Sequence, residues 1–349
     1  MPNYELPTTD DRLIWDTWLS FHYLPAVTVS DEMGIFRSLA GEPATAEELA
    51  DRLDYDHRTT IALLRLLAAR GFLTTHLGIY RVTDTTRLYL LKDSPYYWGH
   101  MLGNRVPQHD IFKEKLIGRS PAGRPGVDDI ETRTDLGGRG SSANWAAGQV
   151  EMDRAVRVAA SMHSHSLPSA IGAAQNGDFK GVKRLLDVGG GSGCFAIALA
   201  QQNPDLRCTI MELPTMCEVA EGYIKDGGVT GQVDTVAVDM FREPWPRGYD
   251  ALFYSNVYHD WNFETCVWLT RQSFEILPSG GRIYLHEMLL DDDGAGPVTT
   301  TSFSVLMLGT QGQQFTFQDL KSMLEDAGFT DVTTEHTYGY YSLTVGRKP

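Results

Sequence analysis

The chain has 349 residues, 42% of them hydrophobic, and a formal net charge of -15 at pH 7. That length admits two domains and a sizeable core, and the acidity argues against polyanionic partners, namely nucleic acid and an anionic membrane surface. No run approaches the ~18 apolar residues of a membrane span, the N-terminal MPNYELPTTDDR is too polar for a signal peptide, and Cys194, Cys208, Cys217 and Cys266 lack C-x-x-C spacing, so buried reduced thiols and a cytoplasmic location are expected.

Residues 12–40 carry Trp15, Trp18, Leu19, Tyr23, Leu24, Val27, Met33 and Phe36 at helical spacings, and Pro25 and Gly34 are expected to break the stretch into two or more helices. So many aromatics predict core or subunit contact. Thr45-Ala-Glu-Glu48 is a capping box opening a short helix that ends near Leu53. A second helix, from about His57 to Arg70, places Ile61, Leu64, Leu67 and Ala68 on one face and stops at Gly71. FLTTHLGIYRVT then reads as a hairpin turning at Leu77-Gly78. Helix, helix, hairpin is the order of a winged helix. Residues 1–100 hold 14 acidic and 9 basic side chains, a net of -5, whereas DNA-binding domains are normally basic. A dimerisation or lid module is the better reading of this segment.

Residues 118–142 are rich in Gly, Pro, Arg and Asp and read as a connection or flap. Helical character returns from Asn144 to Ala174, in a helix expected to connect the two domains. From Val182 strands alternate with helices. Strands are expected at 184–188, 208–212, 233–238, 250–257, 282–289, 331–337 and 341–347, and helices at 194–202, 215–225, 264–276, 298–309 and 317–326. That alternation implies an α/β fold with a doubly wound, mostly parallel seven-stranded sheet. The last two strands, joined at Gly339-Tyr340, are too close for a crossover and must be antiparallel.

The first of these strands runs into a glycine turn and an apolar helix: RLLDVGGGSGCFAIA. Glycines let a backbone approach a ligand closely, and the helix N-terminus offers free N–H groups. A P-loop is set aside, because no Gly-Lys-Ser/Thr follows. Gly191-x-Gly193-x-x-Ala196 fits a relaxed dinucleotide fingerprint, and a structural turn is the bland alternative. Asp187-x-Gly189-x-Gly191-x-Gly193 resembles motif I of the class I S-adenosylmethionine (SAM) methyltransferases, and an acid at the strand end suits an ammonium and a sulfonium better than a pyrophosphate.

The next strands end similarly. Met211-Glu212-Leu213-Pro214 puts Glu212 25 residues past Asp187, where an acid can bind ribose hydroxyls in NAD or SAM alike. Then come Asp239-Met240-Phe241 and Ser255-Asn256-Val257-Tyr258-His259-Asp260-Trp261. Each acid alone could be a helix cap. Acids at consecutive strand ends followed by a His-Asp pair form a far more specific pattern.

The set LLDVGGGSG, MELP, VDMF, YHDW, LPSGGRIYLHEMLL and a closing DAGF before two strands resembles the plant and microbial SAM-dependent O-methyltransferases, which include caffeate, flavonoid and acetylserotonin enzymes. The resemblance covers nearly the whole chain, because that family carries an N-terminal winged-helix-like dimerisation domain. It implies residues 1–105 as that domain, 106–180 as connection and linking helices, and 181–349 as the SAM-binding domain. It implies a homodimer acting on an aromatic small molecule, with S-adenosylhomocysteine as coproduct and no metal. Asp187, Gly189 and Gly191 would lie beside the methionine part of SAM, Glu212 with Leu213 would hold the ribose, and Asp239, Met240 and Phe241 would flank the adenine. His259 matches the general base and Glu287 the carboxylate that orients it.

Two positions depart from the family. Gln314 stands where a second catalytic Glu is common, and Ser255, in the expected cofactor set, replaces a common Lys or Arg. The acceptor pocket is expected to draw on Trp145, Met162, Tyr258, Asp260, Phe303 and Met307. The His163-x-His165 pair reads as solvated or pocket-lining rather than as a metal site. Two rivals stand beside O-methylation. One keeps the fold and SAM but methylates carbon or nitrogen, or does hydroxylation, decarboxylation or pericyclic chemistry. The other is a SAM-sensing winged-helix regulator.

Overall fold

The computed structural model describes residues 6–94, 97–102, 109–118, 151–308 and 311–349. By their contacts these form two units. One comprises the described residues of Leu13–Gly123 with Leu290–Thr316; the other comprises those of Met1–Arg12, Arg124–Leu289 and Phe317–Pro349.

The first unit is helical with one hairpin. The capping box is made reciprocally: the Thr45 amide donates to Glu48 Oε2 at 2.8 Å, and the Glu48 amide to Thr45 Oγ1 at 3.2 Å. It starts the helix Ala46–Leu53. The Asp56 carboxylate accepts from the Thr59 amide at 2.8 Å and caps His57–Ala69 without the reciprocal bond. β1 (Leu73–His76) and β2 (Ile79–Val82) pair antiparallel. The turn between them sits at Leu77 and Gly78, with φ of 49° and 75°, the left-handed pair that matches strand twist in a tight hairpin. Ile35, Phe36, Leu39, Leu49, Leu64 and Leu66 form the buried core. Pro25 does not break its helix, contrary to expectation. It is the third residue of Tyr23–Glu32, where no intrahelical N–H is needed. The break falls instead at a 3₁₀ turn, Ser20–His22.

The second unit is built on a seven-stranded sheet. Its strands are β3 (Arg184–Val188), β4 (Arg207–Glu212), β5 (Val233–Ala237), β6 (Ala251–Ser255), β7 (Arg282–Met288), β8 (Thr330–Tyr338) and β9 (Tyr341–Arg347). The order is β5-β4-β3-β6-β7-β9-β8. β3 to β7 run parallel, and β9 lies antiparallel between β7 and β8. Leu185, Leu186 and Val188 are fully buried, and so is nearly every residue of the Cys194–Gln202 helix, as the continuous apolar runs require of an element covered on both faces. The Asp250 carboxylate accepts from the amides of Lys183 and Arg184 at 2.9 and 2.7 Å, which fixes the start of β3 beside β6. Strand order reverses between these two strands, and the crevice beyond their carboxyl ends is where such sheets bind ligands.

The fourth parallel strand is shorter than the sequence suggests. It stops at Ser255 because Asn256 has a φ of 56°, a left-handed conformation that asparagine tolerates. One 3₁₀ turn, Tyr258–Asp260, follows. The Asn262 side chain then accepts from the Thr265 amide at 2.9 Å and starts the helix Phe263–Ile276. The expected linking helix is described as Met152–Asn176; Trp145 and residues 119–142 lie outside the described residues.

Candidate active site

At the end of β3 the Asp187 carboxyl is only 1% exposed. A Cβ on Gly190 would lie 2.6 Å from that carboxyl, so only glycine lets the chain pass there. Gly191 takes a left-handed φ of 56°, with open space where its Cβ would be, and Gly189 has a φ of 68°. The result is a cradle of bare backbone at a helix N-terminus. Asp187 Oδ2 has no hydrogen-bond partner among the described residues. Burial raises the Asp187 pKa to about 7; the Ala196 amide opposes this and the Glu212 charge adds to it.

Glu212 closes β4 beside that loop. Burial raises its pKa to about 7 against hydrogen bonds from the Leu213 and Gly191 amides, the former at 2.7 Å. Two carboxyls in one crevice, each resisting ionisation, suit a ligand that brings positive charge and hydroxyl donors. Past β5, Asp239 Oδ1 accepts from the Phe241 amide at 3.0 Å and orders its own loop. The Met240 carbonyl takes the Trp245 indole N–H at 2.7 Å. The Phe241 ring packs on Trp261 and Trp268, with centroids at 4.8 and 5.6 Å.

His259 sits on the turn after β6 and Glu287 on β7; they are 5% and 2% exposed. Nδ1 of His259 lies 2.7 Å from Glu287 Oε2. The other carboxylate oxygen accepts from the Val257 and Tyr258 amides at 3.1 and 3.0 Å. With Glu287 Oε2 as its partner, Nδ1 carries the proton and Nε2 the lone pair of the neutral ring. Burial works against the imidazolium, but the Glu287 charge and hydrogen bond, with Asp260, outweigh it and raise the His259 pKa to about 9. Asp260 Oδ1 is 3.7 Å from Nε2.

An O-methyltransferase domain model fits residues 136–330, and an O-methyltransferase dimerisation domain model fits residues 15–92. The 3-hydroxy-5-methyl-1-naphthoate 3-O-methyltransferase of Streptomyces sahachiroi is 32% identical over 95% of this chain and 92% of its own length. The chain belongs to the O-methyltransferase family. An O-methyltransferase family 2 protein from Planctomyces limnophilus, crystallised with apigenin, shares the fold with a TM-score of 0.83 at 23% identity, each chain covered in full. PigF, a SAM-dependent methyltransferase of a Serratia strain, solved with SAH, is 26% identical, with a TM-score of 0.56 over 97% of this chain and 100% of its own.

The residues expected in the acceptor pocket, with Gln314 and Ser255, fall in several places. The Tyr258 ring is fully buried, edge-on to Tyr254, and its hydroxyl lies 2.9 Å from Thr270 Oγ1. Met162 is 49% exposed on its helix. Gln314, Phe303 and Met307 belong to the first unit. There Phe303 packs 5.6 Å from the Trp15 ring, the Met307 carbonyl accepts from Arg58, and the Gln314 amide group is buried with no partner among the described residues. The Ser255 hydroxyl is 2.9 Å from His286 Nδ1.

One histidine escapes the sequence reading, and another reads there only as solvated or pocket-lining. His163 is not solvated: it is buried, stacked on Tyr223, and its Nδ1 is 2.9 Å from Ser192 Oγ in the glycine loop. Nothing in S-M-H-S-H-S marks which histidine turns inward. His286 is fully buried. Its only signal was its place immediately before Glu287.

Proposed function

We propose that the enzyme methylates a phenolic or enolic hydroxyl of an aromatic small molecule, with His259 as general base and Glu287 as the carboxylate that orients it. The observation that carries this reading is the His259–Glu287 pair, buried at the crevice that also holds the Asp187 and Glu212 carboxyls. The naphthoate relative, which shares nearly the whole chain, supports an aromatic acceptor.

The residues present fit SAM. The partnerless buried oxygen of Asp187 and the open backbone at Gly191 suit an ammonium-bearing chain, and Glu212 suits a ribose. Asp187, Gly189 and Gly191 would hold the methionine part, Glu212 and Leu213 the ribose, and Asp239, Met240 and Phe241 the adenine. When bound, SAM supplies an activated methyl on a sulfonium, whose positive charge favours the acceptor oxyanion and the neutral imidazole. The protein's part is alignment and proton removal. Alignment can supply roughly 7–11 kcal/mol of such a barrier. Proton removal is eased by the raised histidine. An ordinary phenol and an ordinary histidine differ by about 3.5 pKa units, or roughly 4.8 kcal/mol. With His259 raised to about 9 in the ligand-free protein, the gap between a phenol and the neutral ring shrinks to about 1 unit, roughly 1.4 kcal/mol, at a pH where the ring has already lost its second proton. Gln314 enters the catalytic set on its motif position alone, and as an amide it adds no charge.

The N-terminal helices and hairpin support a winged-helix-like dimerisation module, and the four buried free thiols support a reducing cytoplasm. The decisive experiment pairs His259→Ala with detection of S-adenosylhomocysteine. Turnover should fall by roughly 10²–10⁴-fold while calorimetric SAM affinity stays near the wild-type value. Near-normal turnover in the variant would hand the site to carbon or non-methyl chemistry.

A further inference from the structure

Five side chains behind the His259–Glu287 pair close a hydrogen-bonded ring. Tyr341 OH donates to Asn256 Oδ1 at 3.0 Å, and Asn256 Nδ2 donates to Ser255 Oγ at 3.3 Å. Ser255 Oγ is 2.9 Å from His286 Nδ1, and His286 Nε2 is 2.9 Å from Thr337 Oγ1. Thr337 Oγ1 donates to the Tyr341 carbonyl at 3.1 Å, which returns to the starting residue.

The donors fix the direction of the ring. A threonine hydroxyl has one proton, and that of Thr337 is spent on the carbonyl. Thr337 must therefore accept from His286, so His286 is the neutral Nε2–H tautomer. Its Nδ1 lone pair then accepts from the Ser255 hydroxyl, which in turn accepts from Asn256. Every member is satisfied in only one sense. A second proton on His286 would meet a hydroxyl already pointing at it. The ring stacks flat on Tyr341, 5.0 Å between centroids and 6° between planes, with Phe195 at 5.2 Å on another side.

The ring spans the two elements that carry the proposed catalytic pair. His286 immediately precedes Glu287 on β7. Asn256, whose left-handed φ of 56° ends β6, immediately precedes the residues whose amides hold Glu287 Oε1. We infer that His286 is a positioning residue: through Ser255 and Asn256 it holds the left-handed turn that aims the Val257 and Tyr258 amides at one oxygen of Glu287, leaving the other for His259. A buried polar network satisfied at every member specifies one geometry, whereas one missing partner leaves buried groups unpaired. The inference rests on His259 acting as base, but its first readout does not.

The test is His286→Phe, which keeps the stacking and removes both hydrogen bonds. In the ligand-free protein, the downfield His259 Nδ1–H proton resonance should broaden or vanish as exchange with water opens. With substrates, kcat should fall at least ten-fold. The acidic limb of kcat/KM should move down toward the ordinary histidine range as Glu287 loosens; Asp260 acts on His259 in the same sense as Glu287, and His165 in the opposite sense. His286→Asn, which restores an acceptor for Ser255, should recover part of each loss. A folded His286→Phe protein with its Nδ1–H resonance and acidic limb unchanged would overturn the assignment. Should that variant fail to fold, Ser255→Ala opens the ring with little change of volume and is read in the same way. If His259→Ala proves active, the general-base reading fails while the resonance still decides the positioning role.

Discussion

Glu287 divides its two oxygens between different tasks: Oε1 takes the backbone amides of Val257 and Tyr258 at 3.1 and 3.0 Å, and Oε2 takes His259 Nδ1 at 2.7 Å. The same carboxylate therefore fixes where the turn lies and which ring nitrogen is basic. It is also why a buried imidazole has a raised rather than a lowered pKa.

Glu287→Gln tests that electrostatic role. The wild-type acidic limb of kcat/KM should lie well above 6.5, toward the value of about 9 held by the free enzyme. The amide brings no charge, so burial then acts on His259 against Asp260 alone, and the limb should move down by more than about 1 unit. kcat on the high-pH plateau should still fall, because an amide presents either an N–H or an oxygen to Nδ1 and no longer fixes the tautomer. A pH–rate profile of both proteins checks this, and a limb that stays in place would mean that it belongs to another group.

Asp187 should make ligand binding and stability pH-dependent. Its folded pKa is about 7, against about 3.9 in an unfolded chain. Between those values the folded state binds a proton that the unfolded state releases, so this group's contribution to stability falls as pH rises through the window. Asp187→Asn cannot ionise. Its ligand-free Tm should gain on wild type as pH goes from 5 to 8. Wild-type SAM affinity should rise over the same range as the carboxylate forms, and the variant should lack that rise. Parallel calorimetric titrations with flat, superimposable pH profiles would remove Asp187 from the site.

Gln314→Glu restores the residue common in the family, yet the local structure predicts a cost. The Gln314 side chain is 1% exposed and has no hydrogen-bond partner among the described residues. A carboxylate there should resist ionisation, so its folded pKa would exceed the unfolded value and stability should be lost as pH rises through neutrality. The expected penalty at pH 8 is on the order of 1–3 kcal/mol, and much less at pH 5. Thermal melts at the two pH values decide it; equal Tm values for variant and wild type at pH 8 would mean that an uncounted partner receives the charge.

Leu13, Ile14, Trp18 and Leu24 are 73%, 70%, 48% and 46% exposed on neighbouring helical turns, and the matched dimerisation domain starts at residue 15. Apolar side chains concentrated in this manner mark an interface. Ile14→Glu with Trp18→Glu should give monomers by light scattering at micromolar concentration. A dimer of undiminished affinity would place the interface elsewhere.

Much of the fold was legible in the sequence because local physics dominates there. The run Leu185-Leu186-Asp187-Val188 followed by glycines allows few outcomes but a buried strand and a tight turn. Thr45 with Glu48, and the hairpin at Leu77-Gly78, are decided within four residues. The acids at the ends of β3 and β4 and His259 after β6 could be named in advance because strand ends converge in a parallel sheet, whereas Glu287 could be named only through the family resemblance. What the sequence determined was therefore the elements and the residues at their tips. The tertiary structure alone decided which side chains meet. Asn256 ends β6 early because a ring drawn from β6, β7, β8 and β9 satisfies it in a left-handed turn. Tyr258 turns into the core toward Thr270, and His163 turns toward Ser192 rather than to water. These outcomes depend on hydrogen bonds between residues 12 to 85 positions apart, and no local pattern encodes a partner at that distance.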